Sequence, residues 1–328
     1  MTSPHSHRPV PHHPWPIAQP TARHLPAALA VCAAVWALAG CALPISAHPT
    51  TKAAAPEALA PQASPAHTPA HTHSHRPTPA QVPVLDIATP VAQRLHALGR
   101  PDVLMLGEQH DAPDHQRQHL AAVQELAAVG ELGAVVLEMA DTGHHTVGLP
   151  THATEAQVQQ ALAWRDSAWP WAHYGPAVMA AVQAGVPVWG GNLPRTRNAA
   201  VMKEADWDTR VAPEVLQAQR DAVREGHCNL LPAGQIGPMT RIQLARDAHM
   251  AQAVQAAVVP GKTVLLLTGS QHAHRLLGVP QHLPPSLSLA TVRLTTDGIR
   301  PGDSGGFDAL WTTPALPPRD HCAELKGR

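Results

Sequence analysis

Val103-Leu104-Met105-Leu106-Gly107-Glu108-Gln109-His110 and Val264-Leu265-Leu266-Leu267-Thr268-Gly269-Ser270-Gln271-His272 are the stretches whose reading decides the fold. Each is a short apolar run that gives way to a glycine and a few polar residues. Runs of this kind read as strands buried on both faces, as in parallel sheets. Such sheets place ligands in the crevice beyond the strand C-termini, where a glycine lets the chain turn sharply. The Gly-x-x-His spacing alone carries no weight: with 22 Gly and 24 His in 328 residues, about 1.6 matches arise by chance. Two further segments have the same shape. Ala134-Val135-Val136-Leu137 runs into Glu138, and Val186-Pro187-Val188-Trp189 runs through Gly190-Gly191 into Asn192. Four strand ends would then offer Glu108, His110, Glu138, Asn192 and His272 to one cleft.

Working outward, residues 113–129 place Leu120, Val123, Leu126 and Ala127 on one face, which predicts a helix after the first strand. The alternation repeats, with helices over 176–184 and 240–258 ahead of the strands near 186 and 263. Residues 154–163 and 213–224 predict extra helices. The expectation is an α/β domain over 83–328: a mostly parallel sheet flanked by helices, with a small helical subdomain at about 150–230 over the strand C-terminal rim. Segments 287–295 and 307–312, with an Asp297-Gly298 turn, predict a late antiparallel hairpin at the sheet edge.

The ends of the chain speak to place. Arg8 and Arg23 precede an apolar stretch at 25–39, short of the ~20 residues a spanning helix needs. It ends in Leu38-Ala39-Gly40-Cys41, which resembles a bacterial lipobox. The expectation is a lipoprotein signal peptide over 1–40, lipidation of Cys41, and an Ala/Pro/His-rich tether over 41–82 with too few large apolar residues to fold. His67, His71, His73 and His75 in that tether could chelate a metal weakly, although a solvated linker accounts for them as well. Ala42 is not the aspartate that retains lipoproteins in the inner membrane. The expected location is therefore the bacterial cell envelope, at the outer membrane and facing the periplasm. Cys228 and Cys322 remain as a pair that an oxidising compartment permits to join. A formal net charge of −1, without a basic stripe, argues against a nucleic-acid partner.

At the rim, His110 and His272 with Glu108 and Glu138 could ligate a divalent metal and activate a water. The same residues could instead hydrogen-bond one another across the strand ends. Asp247 in the 240–258 helix could hold a histidine from behind, or could equally sit on a solvated face of that helix. His115 and His119, one turn apart, read as surface residues. Gly302-Asp303-Ser304-Gly305-Gly306 copies the serine motif of chymotrypsin-like proteases, but an alternating α/β chain is not that fold, and a glycine-rich loop explains it.

Leu106-Gly107-Glu108-Gln109-His110-Asp111 resembles the opening motif of the ChaN-like haem-binding lipoproteins of the Tiki/TraB superfamily. The likeness continues through Leu137-Glu138-Met139, Tyr174-Gly175-Pro176, Asn192-Leu193-Pro194-Arg195, Arg246-Asp247-Ala248-His249-Met250 and Gly269-Ser270-Gln271-His272. The resemblance implies haem as ligand, a role in haem and iron uptake, a membrane-tethered location, and a homodimer as an assembly open to the chain. It also implies a tyrosine ligand to haem iron, for which Tyr174, beside Trp164, Trp169 and Trp171, is the candidate. His110, Asn192 and Arg195 are further haem-site candidates, with Arg195 placed to meet a propionate. Superfamily peptidases and esterases supply the alternative: a metal-dependent hydrolase built on the two Gly-x-x-His elements.

Overall fold

The computed structural model describes residues 82–296 and 305–326. The signal peptide, Cys41, nearly all of the tether, the Asp297-Gly298 turn and the first three residues of the Gly302 loop lie outside the described residues. Seven strands are present among them: β1 (Val84–Asp86), β2 (Val103–Glu108), β3 (Leu132–Asp141), β4 (Val188–Asn192), β5 (Thr263–Gly269), β6 (Leu289–Thr295) and β7 (Ala309–Thr312). They form one sheet in the order β1-β7-β6-β2-β5-β3-β4, with every pairing parallel. The α/β expectation therefore holds.

The late hairpin does not. β6 and β7 pair parallel, Val292 opposite Ala309. A parallel return needs a crossover of about a dozen residues, and the segment between the two strands is long enough for one.

The helices are α1 (Val91–Ala97), α2 (Pro113–Ala128), α3 (Glu155–Ala161), α4 (Trp171–Gln183), α5 (Asn198–Val201), α6 (Pro213–Gly226), α7 (Ala233–Ala257), α8 (Ser270–Ala273) and α9 (His321–Lys326). α2 starts at Pro113, whose missing N–H is no loss in a first turn. α3 starts at Thr154, whose side chain and Gln157 close a capping box. Among the described residues no helix is long and apolar enough to cross a membrane.

Alternation along the strands builds two cores. Leu104, Leu106, Val135, Leu137, Leu265 and Leu267 face Val123 and Leu126 of α2 and Val178 and Val182 of α4. Val103, Met105, Ala134, Val136, Val264 and Leu266 face Met250, Val254 and Ala257 of α7. A third cluster joins Leu193, Val201, Trp207 and Leu216 to Ile242 and Leu244 on α7. The helices that stand apart from the two main layers are thus those around α5 and α6. α3 and α4, inside the span expected for a subdomain, belong instead to the main layer on the α2 side.

Candidate functional site

Glu108 is the last residue of β2 and continues the Leu104–Leu106 face, so it lies toward α2 and α4. Glu138 continues the Ala134–Val136 face of β3 and lies toward α7. The two carboxylates therefore stand on opposite faces of the sheet, with the end of β5 between them.

Glu108 is 2 % exposed and nearly saturated with donors. Its Oε1 accepts from the Tyr174 hydroxyl at 2.7 Å and lies 2.7 Å from His110 Nδ1. Its Oε2 accepts from Gln116 Nε2 at 2.8 Å and lies 3.5 Å from His119 Nδ1. Burial alone would raise this carboxyl, but the neighbouring imidazoles and the His110 and Tyr174 hydrogen bonds hold it below the ordinary carboxylate value.

Glu138 is anchored at Oε2 by the Gly269 N–H at 2.7 Å and the Thr268 hydroxyl at 2.8 Å. Its Oε1 lies 3.5 Å from His272 Nε2 and 3.9 Å from His110 Nε2. Burial opposes its ionisation, yet the two imidazoles and the two donors bring it to about 2. On the far side, His272 Nδ1 lies 2.6 Å from Asp247 Oδ1, and Gln219 Nε2 donates to Asp247 Oδ2 at 3.3 Å. Burial opposes a charged His272, but Glu138 and Asp247 together raise it to about 9. Asp247 thus holds a histidine from behind, as its place in the helix suggested.

His110 bridges the two halves over the rim, its side chain 41 % exposed. Gly269 makes room for it, and Gly107 makes room for the start of α8. A Cβ on Gly269 would sit 3.0 Å from His110 Nε2, and one on Gly107 would sit 2.8 Å from the Ser270 Cα. This is the physical content of a glycine at each strand end.

An open cavity of about 690 Å³ lies over this array, lined by Glu108, His110, Glu138, Arg246 and His272 among others. Arg319 and His321 of the C-terminal segment border it and approach Asp111 to 3.6 and 3.7 Å. A disulfide between Cys228, just past α6, and Cys322 on α9 ties that segment down.

Of the residues expected at the site, Glu108, His110, Glu138 and His272 meet in one cavity. Glu108 is hydrogen-bonded to His110, whereas His110 and His272 approach Glu138 in longer ion-pair contacts of 3.9 and 3.5 Å. Among the described residues no group of three or more His, Cys, Asp or Glu is arranged to hold a metal ion. The expected four-residue metal set therefore does not stand preassembled among the described residues, and Glu138 Oε2 is occupied by the Gly269 N–H and the Thr268 hydroxyl.

Three haem-site candidates fall elsewhere. Tyr174 is 3 % exposed, with its hydroxyl spent on Glu108, and burial pushes that hydroxyl far above its ordinary range. It does not line the cavity. Trp169 does reach His110, edge-on at 4.9 Å between ring centroids, and it also packs on Tyr174. Asn192 is buried beneath the rim, its Nδ2 donating to the Glu138 carbonyl at 2.8 Å. Arg195 is exposed in a short 3-10 turn and lines no part of the cavity.

His115 and His119, expected at the surface, are fully buried beneath the rim because the first half of α2 packs there against the Glu108 loop. His115 Nδ1 accepts from the Gln109 N–H at 2.9 Å, and burial lowers it to about 4. Gln116, Thr268 and Arg246 belong to the site without having been singled out by role. For Arg246 a signal existed: Gln243 and Arg246 share a helix face at i, i+3, next to the inward Asp247.

No curated protein matches the chain significantly. Two solved structures resemble it. One, a structure of cofacial haem binding to ChaN of Campylobacter jejuni, is 23 % identical, with 66 % of this chain and 89 % of that one covered and a TM-score of 0.54. The other, the type III effector HopBA1, is 12 % identical, with 69 % and 94 % covered and a TM-score of 0.42. The first likeness is one of fold. The family model for haem-binding uptake proteins of the Tiki superfamily, ChaN, matches residues 94–283, more than half of the sequence, and the chain belongs to that family.

Proposed function

We propose that this chain captures haem at the strand C-terminal rim, with the His110 imidazole as the group that meets the iron. One observation carries the reading: His110 is a half-exposed imidazole on the cavity wall, its Nδ1 held by Glu108 Oε1 at 2.7 Å. Histidines that ligate metals characteristically donate their other ring N–H to a carboxylate, which fixes the ring and raises its basicity. The donor chemistry therefore suits haem iron, for which proteins supply His, Tyr, Cys or Met. Haem brings the redox-active iron; the chain brings ring orientation, the Trp169 edge and the Arg246 guanidinium of the cavity wall. The open mouth leaves room for a second haem or a second copy stacked outside, in keeping with the cofacial haem binding of the Campylobacter protein.

The test is a haemin titration of the full-length protein, followed at the Soret band. Saturation at a simple stoichiometry, lost in His110→Ala and kept in Tyr174→Phe, is the expected result. Loss in Tyr174→Phe with retention in His110→Ala, both variants folded, would sink the assignment.

The finer parts of the reading are export, lipidation at Cys41 and a role in haem and iron uptake at the outer membrane. Support comes from the lipobox at 38–41 and from the Cys228–Cys322 disulfide, a bond that persists in oxidising compartments. Labelling of cells with a fatty-acid analogue should mark the wild type and spare Cys41→Ser. An unlabelled wild type removes the anchor.

A further inference from the structure

The acids of the rim are all answered. Glu108 is held by Tyr174, Gln116 and His110, Glu138 by Thr268, Gly269 and His272, and Asp247 by His272 and Gln219. Asp111, on the outer side, faces Arg319 and His321. One cation is not answered. Arg246 lines the cavity, and among the described residues it makes no ion pair; its Nε is buried without an acceptor. Arg246 lines the same cavity as His272. Gln243, one turn earlier on α7, lines the same wall and adds an amide donor.

Arg246 lines the cavity without an ion-pair partner among the described residues, so its guanidinium is placed to meet a ligand oxygen. A guanidinium is planar, permanently charged and forked, and the group that matches it in shape and charge is a carboxylate bound through two parallel N–H···O contacts. We propose that Arg246, assisted by Gln243, is the carboxylate-binding element of the rim cavity and takes one haem propionate. This rests on the haem reading above. It assigns to α7 the role that the sequence suggested for Arg195.

The discriminating probes are haemin and its dimethyl ester, which keeps the iron and the ring but has no free carboxylate. The full-length wild type should bind haemin at least about ten times more tightly than the ester. Arg246→Gln should lose about tenfold toward haemin, leave the ester unchanged, and so abolish the preference. Arg246→Lys, charged but unforked, should keep part of it. If folded Arg246→Gln preserves the preference, or if the wild type has none, the assignment is overturned while haem binding stands.

A second arm does not depend on haem. In the ligand-free protein labelled with nitrogen-15, the Arg246 Nε–H resonance should shift saturably on titration with succinate. The absence of that shift, or tighter binding of inorganic phosphate than of succinate, overturns a carboxylate site. A succinate shift in a protein that binds neither form of haem supports it and removes the haem reading instead.

Discussion

Tyr174 and His110 meet on a single atom: Glu108 Oε1 accepts from the tyrosine hydroxyl at 2.7 Å and from the histidine Nδ1 at 2.7 Å. The tyrosine therefore acts through the carboxylate on the imidazole that faces the cavity. Removing the hydroxyl in Tyr174→Phe leaves a buried carboxylate one donor short, which should destabilise the domain by about 1–3 kcal/mol. Urea unfolding measures that loss. An unchanged midpoint would mean that the hydroxyl contributes nothing to holding Glu108.

The pair formed by Glu138 and His272 sets a pH window for stability. His272 is raised from 6.5 to about 9, so its contribution is complete below about pH 6.5 and is lost as pH climbs toward 9. Glu138 is lowered from 4.5 to about 2, so its contribution is complete above about pH 4.5 and fades as pH falls toward 2. Each limb is worth roughly 3 kcal/mol, and the two share one interaction, so they do not add. Unfolding free energy measured from pH 3 to 10 should form a plateau between about 4.5 and 6.5. In Asp247→Asn the alkaline limb should still begin near pH 6.5 but end at lower pH and be smaller, because only the folded-state value of His272 falls; an unmoved limb would take Asp247 out of the account.

What the sequence made legible were the features that depend on short runs. The β2 and β5 cores, the glycines that end them and the four rim side chains follow from local pattern, and α2 is readable from its apolar spacing. The polar residues of α2 were not. His115, Gln116 and His119 look like a solvated face until α4 and the Glu108 loop cover them. Tyr174 gave the opposite difficulty: a single tyrosine in a family linked to tyrosine ligation invites the role of ligand, and only its packing under Glu108 removes it. The parallel pairing of β6 and β7 depends on where a crossover lands, which period-2 alternation does not encode.

Gly269 offers a steric test. A methyl group in Gly269→Ala would press on His110 Nε2, 3.0 Å away, and sit 3.6 Å from Glu138 Oε2. Overpacking of this kind typically costs about 1–3 kcal/mol, but here the yielding partner is a half-exposed ring. The expected outcome is a loss of less than about 1.5 kcal/mol in unfolding free energy together with at least a tenfold loss of haemin affinity. Equal affinity in a folded variant would separate His110 from ligand capture.

The Cys228–Cys322 bond closes 94 residues of sequence. Loop-closure arguments put the cost of removing it in Cys228→Ser at about 2–5 kcal/mol. Because Cys322 follows His321, the variant should also loosen the approach of Arg319 and His321 to Asp111. Hydrogen exchange over 317–326 should rise there more than over α2. Uniform exchange in the two proteins would leave the bond a purely global brace.

That covalent hasp makes the redox history of a preparation part of its chemistry. Material made in a reducing cytosol would leave the last helix unpinned beside the cavity, whereas material routed through an oxidising space would carry it fastened. Two laboratories titrating the same polypeptide could then report different on-rates for a flat, carboxylated ligand and both be right.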